Sequence, residues 1–192
     1  MTAWQVIRAA AFQAMPWRNG GGTTWEIARG TFPEAPNGSK GADWHWRFSL
    51  AEIASDGPFS VFPGIDRLLT VISGEGIDLK IDDAAPRRLH AGEDIAFRGE
   101  AAISCDLLDG PTRDLNLMVD RRLARILPGR DGSRLQAEAG LILLYAVEEV
   151  GLAIETHELR LAPGEAVIGN AGATADIIAG RAVWARIERL SV

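Results

Sequence analysis

Short apolar or alternating runs, each closed by Gly, Pro or Asp, recur along this chain, and no window sustains a 3.6-residue period over ten residues or more. A period of two is what a half-buried strand needs, because successive side chains point to opposite faces. The runs are Trp44–Ile53, Arg67–Ile72, Ile77–Ile81, Ile103–Leu108, Leu115–Val119, Leu141–Val147, Leu152–Leu161, Ala175–Ile178 and Ala182–Leu190. Turn signals such as Ser73-Gly74-Glu75-Gly76, Asp109-Gly110-Pro111 and Pro163-Gly164 separate them. Many short strands at this spacing predict an all-β sandwich or barrel. Helix is expected only over Ala3–Ala14 and Asp120–Leu127, and Thr31–Ala42 is expected to be a loop.

The pattern echoes itself. Leu68–Ile77 resembles Leu143–Leu152, and Leu89-His90-Ala91-Gly92-Glu93 resembles Leu161-Ala162-Pro163-Gly164-Glu165, at offsets of roughly 75 and 72 residues. Two similar β-units in succession are expected. A Gly-Glu corner after a strand, following a Gly-x-Gly hairpin, reads as a double-stranded β-helix barrel of the cupin type.

Composition narrows the function classes. Twenty-six acidic against 20 basic side chains leave a net charge of -6, which repels phosphate, and the short arginine runs are interleaved with Asp120 and Asp131. No nucleic-acid partner is expected. Cys105 is the single cysteine and cannot form an internal disulfide. No apolar run reaches the ~18 residues of a membrane span, so no membrane partner is expected. The opening MTAWQVIRAAAFQAMPW lacks a basic stretch ahead of an unbroken apolar one, so no signal peptide is expected and a cytoplasmic protein is.

A metal site needs several converging ligands, whereas His45, His90 and His157 are scattered and unpaired. No metal and no cofactor are expected. Cys105 lies in an apolar strand and reads as core. Asn19-Gly20-Gly21-Gly22 lacks the lysine of a phosphate loop. It reads either as a tight turn or as a loop that brings Asn19 and main-chain N–H groups to a small ligand. Along Trp44–Ile53 one face carries Trp44, Trp46, Phe48, Leu50 and Glu52, and the other His45, Arg47, Ser49, Ala51 and Ile53. Along the strand around Leu115, the residues Asp114, Asn116 and Met118 share a face opposite Leu115, Leu117 and Val119. Polar residues on one face and apolar residues on the other suit a barrel with a partly polar interior.

Pro16-Trp17-Arg18-Asn19-Gly20-Gly21-Gly22-Thr23-Thr24 resembles the N-terminal signature of the HutD/Ves family. Trp46–Ile53, Asp56-Gly57-Pro58-Phe59-Ser60, Phe62–Arg67, Gly74-Glu75-Gly76, Leu108–Pro111, Arg113-Asp114 and Asn116-Leu117-Met118 follow in the family's order. The resemblance covers about residues 12–120; the last third matches in pattern only. It implies a bicupin, two double-stranded β-helix (jelly-roll) barrels, with boundaries placed at 1–125 and 126–192. It also implies a bacterial protein associated with histidine utilisation that binds a pathway metabolite.

Histidine breakdown passes through urocanate and N-formiminoglutamate, both anionic. Arg47 and Arg67 are the candidate carboxylate-binding residues, since a guanidinium can hold a carboxylate bidentately. Asn19 and Ser49 would add neutral hydrogen bonds, and Asp114 and Asn116 would accept from an imidazole or formimino N–H. The resulting expectation is a non-catalytic binder of a small anionic metabolite, with no catalytic residues. The alternatives are a metal-free isomerase or hydrolase of a formylated or formimino amino acid, with Glu52 or Asp114 as general base, and an assembly protein. A homodimer is left open.

Overall fold

The computed structural model describes residues 3–32, 43–129, 134–155 and 157–190. The strands among them are β1 (Trp4–Ile7), β2 (Gln13–Pro16), β3 (Gly22–Gly30), β4 (Trp46–Ile53), β5 (Gly57–Pro58), β6 (Ile65–Ser73), β7 (Ile77–Ile81), β8 (Arg87–Leu89), β9 (Asp94–Arg98) and β10 (Ile103–Leu107). They continue as β11 (Thr112–Asp120), β12 (Ala124–Pro128), β13 (Arg134–Gln136), β14 (Gly140–Ala146), β15 (Val150–Ile154), β16 (His157–Leu161), β17 (Ala166–Gly169), β18 (Thr174–Ala179) and β19 (Ala182–Arg189). The all-β expectation holds. No helix among the described residues is long and apolar enough to cross a membrane.

Contacts divide the chain into two units, Gln13–Leu123 and Met1–Phe12 with Ala124–Val192. In the first, a six-stranded sheet runs β2-β3-β4-β11-β6-β9 and a four-stranded sheet runs β5-β10-β7-β8. In the second, the orders are β12-β19-β14-β17-β1 and β13-β18-β15-β16. Adding eight to each of β4 to β11 reproduces the order of β12 to β19 in the second unit, to which β1 adds one edge strand. The same corner recurs as well. The His90 N–H donates to Glu93 Oε2 at 2.7 Å, and the Ala162 N–H donates to Glu165 Oε2 at 2.9 Å. The sequence echo therefore marks a repeated topology.

Each unit has its own core. Ile53, Leu69 and Val71 of the large sheet meet Ile77, Leu79, Leu89, Ile103 and Cys105 of the small one in the unit Gln13–Leu123. Leu69 and Ile77 are fully buried, and such a side chain contributes ~1.5–3 kcal/mol. The other unit packs Leu135, Ile142, Leu144, Leu152, Leu161 and Val167.

Three expectations need correction. The segment Ala3–Ala14 holds β1, one turn of 3-10 helix at Ala9–Ala11 and the start of β2, and Asp120–Leu127 runs from the end of β11 through a three-residue turn into β12. Neither segment buries a continuous helical stripe, and cross-strand pairing satisfies their backbone groups instead. Leu152–Leu161 is two antiparallel strands hinged at Glu155, whose φ is 46°. The boundary between 125 and 126 falls inside β12, and β1 pairs with β17. Trp4 and Val6 pack on the second unit's core, and Arg8 reaches Glu165 at 2.6 Å, which draws the first twelve residues out of the barrel expected over 1–125.

Candidate functional site

Three adjacent strands of the large sheet, β4, β11 and β6, build the site by register. Met118 stands between Arg47 and Arg67, Asn116 between Ser49 and Leu69, and Asp114 between Ala51 and Val71. Because side chains alternate along each strand, these rows share the inner face. The polar rows border a cavity of about 540 Å³, and Leu69 and Val71 belong to the apolar core. Asn19, Arg47, Ser49, Arg67, Asp114 and Asn116 all line this one cavity.

Arg67 is 5 % exposed. Its guanidinium carbon lies 4.9 Å from the Phe97 ring centroid and 5.5 Å from those of Phe59 and Phe62. Its Nε donates to Asn116 Oδ1 at 3.2 Å and its Nη1 to the Ser60 carbonyl at 3.4 Å. Of five N–H donors, two are thus engaged. Burial lowers its pKa from 12.5 to about 10, with Asp114 pulling it up and Arg47 pushing it down. It stays a cation at neutral pH, yet no carboxylate among the described residues lies within ion-pair distance of it.

Asn116 bridges to the acid. Its Nδ2 donates to Asp114 Oδ2 at 3.4 Å. Asp114 is 1 % exposed, and burial pushes its pKa from 3.8 to about 7 against the opposing pull of Arg67 and the Asn116 hydrogen bond. Ser49 Oγ approaches the Asn116 carbonyl at 3.5 Å.

Arg47 differs from the open fork expected of it. Its Nε donates to Glu26 Oε2 at 2.7 Å, with both side chains largely buried. Glu26 escaped the sequence reading because β3 did, and its signal was the alternation Thr24-Trp25-Glu26 just after the glycines. Arg18, Phe59 and Phe62 were also missed as lining residues. Glu52, an alternative general base, points outward to Arg113 at 2.9 Å and does not line the cavity.

The glycine run serves close packing. A Cβ on Gly22 would lie 2.2 Å from the Glu52 carbonyl oxygen and 3.1 Å from the Trp17 ring, and the Gly21 carbonyl accepts from Ala54 N at 2.8 Å. Asn19 Oδ1 accepts from Gly21 N at 3.1 Å, while Trp17 Nε1 donates to Thr24 Oγ1 at 2.8 Å. These bonds hold Trp17 and Asn19 at the cavity.

None of the histidines lines the cavity. His45 is buried, accepts from the Phe32 N–H at 2.9 Å and stacks on its ring, whereas His90 and His157 are exposed. Cys105 is core, its thiol pushed by burial up to about 12.

The second unit carries different side chains at the equivalent strand positions. Ile142 takes the strand position of Arg67, and Trp184, paired with Leu144, takes that of Asn116. Trp184 packs on that unit's core, and a Cβ on Gly129 beside it would lie 2.3 Å from the indole.

Comparison with known proteins places this arrangement. The family model HutD matches residues 9–185. A Pseudomonas putida relative described as an uncharacterized 21.2 kDa protein in the hutC 3' region is 40% identical over 149 residues, which is 76% of this chain and 75% of that one. Protein Ves of Citrobacter koseri is 38% identical over 106 residues, covering 55% of this chain and 52% of its own length. Among solved structures, HutD from Pseudomonas fluorescens SBW25, in a formate condition, matches with a TM-score of 0.81 and 32% identity, covering 98% of this chain and all of that one.

Proposed function

The chain belongs to the HutD family, and from that membership we propose that its unit Gln13–Leu123 binds a small carboxylate metabolite without transforming it, so tuning histidine utilisation in the cytoplasm. On this reading the two units are double-stranded β-helix barrels, a bicupin in which the first carries the pocket. Urocanate and N-formiminoglutamate are the leading ligands. The relative located in the hutC 3' region and the HutD structure obtained in a formate condition support the assignment.

The observation that carries it is Arg67, a buried cation with no ion pair among the described residues and uncommitted N–H donors at a cavity. Burying a charge without a partner is costly, and an incoming carboxylate would supply the missing anion through a charge-assisted fork. The rings of Phe59, Phe62 and Phe97 order the guanidinium beforehand, so little rotamer entropy remains to be lost on binding. Asn19 and Ser49 add neutral polar groups, and Arg47 adds positive charge already balanced by Glu26.

Calorimetry with urocanate, N-formiminoglutamate, formate and histidine tests this. At least one of the first three should bind, and Arg67→Met should abolish the heat while the protein stays folded. Silence from all four ligands, or binding that survives Arg67→Met, refutes it. The catalytic alternative gains one observation, a carboxyl at the cavity with a pKa of about 7, within the range of a general base. Turnover of a formimino or formyl amino acid, lost in Asp114→Asn and kept after chelation, would select that alternative.

A further inference from the structure

A bound carboxylate would not be the first acid in this cavity. Asp114 lies within the same barrel, two residues from Asn116 on β11, and Asn116 is the amide that joins it to Arg67. Two carboxyl groups would then face one buried guanidinium. With Asp114 and Arg67 both buried, the two carboxyl groups cannot comfortably be ionised at once.

The other groups packed around Asp114 offer little relief. From β6 comes Arg67, beside the apolar Leu69 and Val71. From β4 come the neutral Ser49 and Ala51, and Arg47, whose charge is met by Glu26 of β3. From β10 in the facing sheet comes the thiol of Cys105, which holds its proton to about 12 and is no competitor near neutral pH. From β11 itself comes Asn116, while Arg113 turns outward to Glu52. Arg18 lines the cavity from an exposed loop. Among the described lining residues, Asp114 is the one acid and no histidine is present.

Resting on the reading of this cavity as an anion site, we infer that an anion enters together with one proton, which Asp114 holds for as long as the anion is bound. The burial that already lifts the Asp114 pKa to about 7 in the free protein makes this exchange available near neutrality. Asn116 Nδ2 donates to Asp114, so the amide keeps its oxygen turned to Arg67. A protonated Asp114 then changes character: it stops repelling the ligand and becomes a hydroxyl donor. No bond is made or broken except that to the proton, which comes from solvent.

Carboxyl ¹³C NMR of aspartate-labelled protein, titrated with and without saturating sodium formate, reads this directly. Formate stays ionised throughout the pH range of interest. The Asp114 midpoint should rise by about one pH unit or more when formate binds. The formate Kd should weaken, approaching about tenfold per pH unit, as pH rises above 7, and should be flat in Asp114→Asn. Formate binding with an unmoved Asp114 midpoint, or with a flat Kd in the wild type, overturns the inference and leaves the anion site standing. If formate is silent, whichever of urocanate and N-formiminoglutamate binds takes its place as the probe, and silence from all three at any pH from about 5 to 9 overturns the anion site and the inference with it. The wild-type titration decides even if the Asp114→Asn variant folds poorly.

Discussion

Replacing Asp114 with asparagine should stabilise the protein, and by an amount that depends on pH. The two side chains have nearly the same shape, and asparagine cannot ionise. In the folded protein burial raises the Asp114 pKa from 3.8 to about 7. A raised acid pKa means that folding favours the protonated form, so its stability contribution is whole below about pH 4 and drains away as pH climbs towards 7. Each pH unit in that interval costs about 1.4 kcal/mol. Between pH 5 and pH 8 the wild type should therefore lose about 3 kcal/mol that Asp114→Asn does not lose. Other titrating groups are common to both proteins and cancel in the difference. Urea unfolding of each protein at pH 5, 6, 7 and 8, followed by tryptophan fluorescence, measures the gap. A gap that stays constant with pH, or closes as pH rises, would show that Asp114 is ionised in the fold at little cost and would refute the reasoning.

Two further outcomes follow from the same geometry. Glu26→Gln removes the carboxylate that occupies Arg47 at 2.7 Å, so formate should bind about threefold to tenfold more tightly by calorimetry; unchanged affinity would mean that Arg47 stays turned away from the ligand. Gly22→Ala drives a Cβ to 2.2 Å from the Glu52 carbonyl, so thermal unfolding should report a loss of about 2–3 kcal/mol, with no such loss at Gly57→Ala, where nothing lies within 4 Å of the added Cβ and the backbone is not left-handed.

The inner face was legible because a strand obeys a period of two. Arg47, Ser49, Asp114 and Asn116 fall on one side of β4 and β11 in the sequence and in the structure alike. Arg67 came from the resemblance, not from periodicity, and its cage of phenylalanines could not be read, since Phe97 lies on β9 and Phe59 and Phe62 on the segment before β6. The Glu26–Arg47 pair depends on cross-strand register, shifted by an irregularity between Glu26 and Ala28 that no local rule announces. Strand β1 went unread for a similar reason: its partner β17 is fixed by packing on a distant core, not by anything in its four residues. The loop expected over Thr31–Ala42 lies almost wholly outside the described residues, with Thr31 and Phe32 alone inside them.

Ile142 and Trp184 stand where the first unit has Arg67 and Asn116, and that pair of exchanges separates shape from capacity. The repeated strand order accepts an arginine and an asparagine at these positions in one unit and an isoleucine and a tryptophan in the other. Strand order is the same for both sets of side chains, so likeness of fold among relatives does not rank them for the proposed anion site. The identities at those two positions do so on the proposed reading: arginine with asparagine leaves buried N–H donors for an anion, whereas an aliphatic residue with tryptophan offers no cation.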